Sequence, residues 1–146
     1  MRQNEIKGAP LLSEHMPVSV IERGDGFYVI ETTFTDYHLN AAGSVHGGII
    51  AAFLDCGIAG GGASSRNRGV GMYGVTITMN VNFVRSARAG DARVTARVIG
   101  GGASTKFVEA ELTDEIFTAF NADFTSVSNV EALTTTLPPS GEITCA

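Results

Sequence analysis

The stretch His38-Leu39-Asn40-Ala41-Ala42-Gly43-Ser44-Val45-His46-Gly47-Gly48, running on through Ile49-Ile50-Ala51-Ala52-Phe53-Leu54-Asp55, decides how this 146-residue chain is read. An amide, a histidine and two glycines stand just before a long apolar run that carries one carboxylate. The run from about residue 46 to 63 is long enough for a helix, with the Ser44 hydroxyl expected as its N-cap. Gly57, Gly60, Gly61 and Gly62 each cost a helix roughly 1 kcal/mol relative to alanine. Their presence implies close packing against a sheet or a second helix. The acid and the glycines also make this a buried helix rather than a membrane span.

Strands are expected on both sides of it. Residues 18–23 read as a strand, Gly24-Asp25-Gly26 as a turn, and 27–34 as a returning strand rich in β-branched and aromatic residues. Asp36 to Ser44 is a loop, and 64–69 is a polar loop holding Arg66 and Arg68. Residues 75–84 alternate, with Val75, Ile77, Met79, Val81 and Phe83 on one face and Thr76, Thr78, Asn80 and Asn82 on the other. Further strands are read at 92–98 and 105–113. Thr113-Asp114-Glu115 reads as a tight turn into a last strand at 116–128. Two strands, one long helix and four strands give an α+β domain, an antiparallel sheet wrapped on the helix. The expected division is an arm at 1–16, the domain at 17–129 and a loose tail at 130–146.

Length suits one domain, and 44% hydrophobic with 17% charged residues is a globular balance. A formal net charge of −5 argues against broad nucleic-acid binding, which draws on a basic surface. Cys56 and Cys145 lie far apart, and no CxxC or His/Cys cluster suggests zinc or a disulfide framework. A reducing, cytoplasmic setting is expected, and residues at the N-terminus lack the pattern of a signal peptide. Gly69-Val70-Gly71-Met72-Tyr73-Gly74 matches GxGxxG as a string. It precedes a strand instead of opening a helix, so the dinucleotide reading lacks its context. The absence of G-x-S-x-G counts against a serine α/β-hydrolase. His15, His38 and His46 show no metal-ligand spacing, and His38 is read as a loop or structural histidine.

Asp55 is a charge in an apolar run, where acids are seldom placed without a partner or a task. His46 precedes it by nine residues, about two and a half turns, so the two point to opposite sides of the helix, roughly 13 Å apart along its axis. That separation argues against one chain bringing both to a single reacting atom. A twofold dimer does so by setting the helix start of one chain against the acid of the other. Gly47 and Gly48 allow tight entry into the helix and offer a backbone N–H where the macrodipole favours negative charge. A carbonyl oxygen gaining charge during attack is stabilised in such a place. Asn40 suits a turn or the positioning of a water. Thr76 is an ordinary strand threonine that heads the polar face.

The run H-L-N-A-A-G-S-V-H-G-G, with Asp55 nine residues beyond His46, resembles the hotdog-fold thioesterase superfamily. It is most similar to the phenylacetate-degradation-type, or PaaI-like, branch of acyl-CoA thioesterases. The resemblance covers about residues 17 to 128, including V-T-I-T-M-N-V-N-F-V-R and A-R-A-G-D. It implies hydrolysis of an acyl-CoA to a carboxylic acid and free coenzyme A. Asp55 would be the nucleophile or the general base, and the Gly47 N–H would polarise the carbonyl. His46 and Asn40 would orient the thioester, and Thr76 would assist the water or the acid. Acid and threonine would come from one protomer and the helix start from the other, within a homodimer or a tetramer. No metal or redox cofactor is implied, and neither nucleic acid nor a membrane is an expected partner. Gly48, Arg66, Arg68, Arg85, Arg88 and Lys106 are candidates for contacting coenzyme A, the cations through its phosphates. Two alternatives stay open: a hotdog acyl-thioester hydratase or dehydratase, and a non-catalytic acyl-CoA-binding module.

Overall fold

A computed structural model describes residues 14–65, 73–115 and 124–137. The elements are β1 (Ser19–Gly24), β2 (Phe27–Phe34), α1 (Gly47–Ala63), β3 (Tyr73–Phe83), β4 (Gly90–Gly101), β5 (Thr105–Glu115) and β6 (Phe124–Leu137). The strands form one six-stranded sheet in the order β1-β2-β4-β5-β6-β3, with every neighbouring pair antiparallel. The expected α+β architecture is therefore the observed one, and β1 and β3 are its two edges.

Two expectations at the C-terminal end are corrected. Thr113, Asp114 and Glu115 belong to β5 and pair with β6, so no tight turn falls there. The last strand reaches Leu137, which places residues 130–137 in the sheet rather than in a loose tail. Its apolar residues there, Val130, Ala132, Leu133 and Leu137, do not keep a period of two, and Thr134-Thr135-Thr136 interrupts them, so no inward face is advertised. Eight register pairs with β3, from Tyr73↔Leu137 to Val81↔Val130, nevertheless hold it. The first part of the expected strand, 116–123, lies outside the described residues, as do residues 1–13, 66–72 and 138–146. At the other end, Met16 is buried in the core, so the chain joins the domain before the expected boundary.

The core lies between the concave sheet face and α1. Ile50, Phe53, Leu54 and Ile58 of the helix meet Ile30 and Phe34 of β2, Ala92, Val94 and Ala96 of β4, and Val108, Ala110 and Leu112 of β5. Period-2 alternation in β4 and β5 turns these small and branched side chains inward. The helical glycines are explained by contact. A Cβ on Gly57 would overlap Val94, one on Gly60 would overlap the Tyr28 ring, and one on Gly61 would crowd Ala96 at 3.1 Å. Close packing against the sheet is thus what the glycine-rich sequence serves.

The start of α1 differs from expectation. His46, not Ser44, is the N-cap, with extended φ −62° and ψ 132°, and its Nδ1 accepts the Gly48 N–H at 3.0 Å. Ser44 turns back to Asn40 instead. The reason lies outside the helix. The Val45 N–H is bonded to the Ala87 carbonyl and the His46 N–H to the His38 carbonyl, which keeps the chain extended until His46.

A β-bulge in β3 overturns the expected faces of that strand. Thr76 pairs with Thr134 and Thr78 with Leu133, leaving Ile77 as the extra residue. One extra residue reverses the inside–outside alternation. Gly74 and Thr76 consequently share the helix-facing side with Met79 and Val81, while Ile77 is 56% exposed. Thr76 is not on a polar outer face. Gly74 passes so close to α1 that a Cβ there would overlap the Ala59 carbonyl oxygen, a backbone atom that cannot swing aside. Gly74→Ala is expected to push β3 from the helix and destabilise the domain by about 1–3 kcal/mol, the usual range for overpacking. Urea denaturation of the variant checks this.

Candidate active site

Asp55 lies midway along α1 and is half-buried. Its Oδ1 accepts a hydrogen bond from the Thr76 hydroxyl at 2.6 Å. The bulge makes that bond possible by turning Thr76 inward. With Oδ1 held, Oδ2 has no hydrogen-bond partner among the described residues. A carboxylate fixed by one oxygen and open at the other is arranged to take a proton or to attack.

At the start of α1 the first backbone N–H groups precede the regular i→i−4 ladder, which opens with the Ile50 N–H. Those of Ile49 and Ile50 both reach the His46 carbonyl, and that of Gly48 reaches His46 Nδ1. The Gly47 N–H is the one left without a partner among the described residues. Gly47 sits against the Phe83 ring, whose Cζ would be 3.4 Å from an added Cβ. The helix start therefore offers one backbone donor, beside an exposed imidazole. Gly48 does not share in this, because its N–H is already capped.

Nine positions separate His46 from Asp55, so the helix sets them about 180° apart around its axis. The structure thus joins Asp55 with Thr76, and His46 with Gly47, as two separate groups on opposite sides of the helix.

Asn40 organises its own loop. Its Oδ1 accepts the N–H groups of Ala42 at 2.9 Å and Ser44 at 3.2 Å, and its Nδ2 donates to Ser44 Oγ at 3.0 Å. Its backbone N–H reaches the Ser44 carbonyl, and Gly43 closes the loop at φ +78°, a conformation that favours glycine. The loop so fixed leads straight into His46. His38 is structural, as expected. It is buried against Phe34, its Nδ1 accepts the Thr35 N–H at 2.8 Å, and its Nε2 meets the His15 carbonyl at 2.5 Å. Those two contacts fit the neutral ring with its proton on Nε2.

Among the cations named for coenzyme A, Arg66 and Arg68 lie outside the described residues. Arg85 donates through both Nη atoms to the buried carboxylate of Asp114. Lys106 is 5% exposed on the inward face of β5. Neither is disposed as a surface cation. Arg88 is exposed. Asp114 is the functional candidate that sequence reasoning passed over. Its signal was the β5 alternation: after Val108, Ala110 and Leu112, the next inward position is an acid. Among the described residues no three His, Cys, Asp or Glu side chains gather as a metal site requires, and no helix is long and apolar enough to cross a membrane.

A sequence model of the Thioesterase superfamily matches residues 42–116, half of the chain, from the loop of Asn40 through α1 to the end of β5. A putative esterase of Schizosaccharomyces pombe is 36% identical over 69 residues, covering 47% of this chain and 41% of its own length. The chain thus spans less than half of that relative. The human acyl-coenzyme A thioesterase 13 is 28% identical over 99 residues, covering 67% of this chain and 69% of the relative. The PaaI protein from the phenylacetic acid degradation operon of E. coli superposes with a TM-score of 0.73 at 22% identity, over 88% of this chain and 85% of that one. That last likeness is one of fold. With the helix-wrapping sheet and the matched segment together, the chain belongs to the thioesterase superfamily and adopts its hotdog fold.

Proposed function

We propose that this protein is an acyl-CoA thioesterase that works as a homodimer, with each active site built from both chains. The observation that carries the reading is the pairing of Asp55 and Thr76 on one side of α1, while the Gly47 N–H, without a partner among the described residues, stands at its start. In this reading the thioester carbonyl oxygen accepts the Gly47 N–H of one protomer. The partner's Asp55 acts on the carbonyl carbon from the other side, as a general base toward water or as the nucleophile. Both roles use Oδ2, because Thr76 holds Oδ1.

In the general-base route, water adds to the carbonyl as its proton passes to Asp55. The oxyanion then collapses, the C–S bond breaks, and the proton leaves with the coenzyme A thiolate. The products are a carboxylic acid and free coenzyme A. The Gly47 N–H contributes most when negative charge sits on the oxygen, so it favours the transition state over the substrate. His46 and Asn40 serve by shaping the helix start, and Arg88, Arg66 and Arg68 are the cations left to meet the coenzyme A phosphates. No resident cofactor enters the chemistry.

Dimerisation is supported by the exposed edge strand. Ile77, Phe83 and Val84 are each more than half exposed on or beside β3, and Phe83 touches Gly47. Unpaired edges and exposed apolar clusters are places where a second chain is expected. A reducing, cytoplasmic compartment is part of the same reading.

The reading is tested by free-thiol release from a panel of aryl-, short- and long-chain acyl-CoAs. At least one is expected to turn over, and Asp55→Ala is expected to abolish the activity by about a hundredfold or more. Thr76→Val, which removes the hydroxyl and keeps the shape, is expected to lower kcat by about tenfold. Failure of the whole panel, or an Asp55→Ala variant as active as the parent, contradicts the assignment.

A further inference from the structure

We infer that Asp114 is a positioning residue for the helix start, acting through the β3–β4 turn and not through substrate. This rests on the reading of the Gly47 N–H as the donor to the thioester carbonyl.

Asp114 is 2% exposed at the end of the inward face of β5. Its carboxylate gathers three donors from one short segment. Arg85 Nη2 donates to Oδ1, Arg85 Nη1 donates to Oδ2 at 3.2 Å, and the backbone N–H of Arg88 donates to Oδ2 at 3.2 Å. Arg85 Nη1 also donates to the Ser86 carbonyl at 3.0 Å. A bidentate guanidinium–carboxylate pair is both strong and geometrically restrictive. Here it fixes both ends of the segment that contains Ala87.

Ala87 is fully buried, and its carbonyl accepts the Val45 N–H at 2.9 Å. Val45 immediately precedes His46, the N-cap, and Gly47 follows. The His46 N–H is in turn bonded to the His38 carbonyl at 2.8 Å. The helix start is therefore held from two sides, by the loop of residues 38–45 and by the segment that Asp114 clamps. Without the clamp, Ala87 would lose its fixed position, and the Gly47 N–H would lose its aim. A misplacement of an ångström or less is enough to lower the rate of a reaction that depends on a single oriented donor. In this account Arg85, a candidate phosphate contact by sequence, is part of the scaffold.

The relay predicts a selective kinetic effect. Asp114→Asn keeps the shape but removes the charge that recruits Arg85. On a thioester that the parent hydrolyses, kcat per folded chain is expected to fall about tenfold, with KM changed by less than about twofold. Arg85→Lys keeps a cation but not the two-pronged geometry and is expected to fall in the same direction. It serves in place of Asp114→Asn if that variant does not fold. Amide hydrogen exchange of Val45 is measured on the same samples and is expected to accelerate about tenfold, relative to amides of α1 such as Phe53. This second readout does not depend on turnover. Were the parent inactive on every thioester, the functional reading would fail while the relay stayed testable. Unchanged Val45 exchange in the folded variant overturns the relay. Faster exchange with unchanged kcat on an active parent overturns the positioning role.

Discussion

The distance between α1 and β3 is the constraint on which the rest of this structure depends. Gly74 brings the strand against the helix backbone at Ala59, and no side chain larger than hydrogen fits between them. Two residues further on, the Thr76 hydroxyl reaches Asp55. A β-bulge at Ile77 then restores Met79 and Val81 to the core. The same few residues therefore close the fold and hold the carboxylate, so packing and chemistry share one contact. The glycines of α1 extend the principle to the other strands, because Gly57 and Gly61 admit Val94 and Ala96 to the helix surface. Helix propensity is given up for proximity, which a packed interior rewards through contact on every side.

At the N-terminal end of the same helix the governing question is where the backbone hydrogen bonds go. His46 satisfies three of the first four amides, two with its carbonyl and one with its ring. Among the described residues, what is left without a partner is the Gly47 N–H, at the positive end of the macrodipole. The Asn40 loop and the Asp114–Arg85 clamp meet at this point from opposite directions. Each supplies a hydrogen bond to the residues just ahead of the helix. In the proposed reaction this donor meets an oxygen that gains charge, and it must be aimed in advance, since reorientation during the reaction would cost free energy.

The order of elements, the single buried helix and the importance of residues 38–55 were legible in the sequence. Period-2 alternation and a run of helical length are long-range, redundant signals. They survive errors at individual positions. The opposite placement of His46 and Asp55 was legible for a similar reason, because helical geometry fixes it regardless of tertiary contacts. Three features were not legible, and all depend on partners distant in sequence. The inward turn of Thr76 requires a bulge defined by pairing with Thr134 and Leu133. The shift of the N-cap from Ser44 to His46 follows from Ala87 and His38 carbonyls that hold the chain extended. The strand identity of residues 130–137 comes from two flanking strands, which override a sequence with little apolar periodicity. Asp114 is an intermediate case, visible as an acid on an inward face yet interpretable only once Arg85 and Arg88 are seen beside it.

These observations converge on a proposed active site divided between two chains, with the Gly47 donor and the Asp55–Thr76 pair of each protomer serving different reactions. Subunit complementation tests this division most directly. A variant disabled at the helix start, Gly47→Pro, is mixed under subunit-exchange conditions with Asp55→Ala, each inactive alone. In a heterodimer of the two, one of the two sites combines an intact helix start with an intact acid. The account predicts recovery toward about half of the parent activity per heterodimer. No recovery, with heterodimers demonstrated by mass and both variants folded, would contradict it.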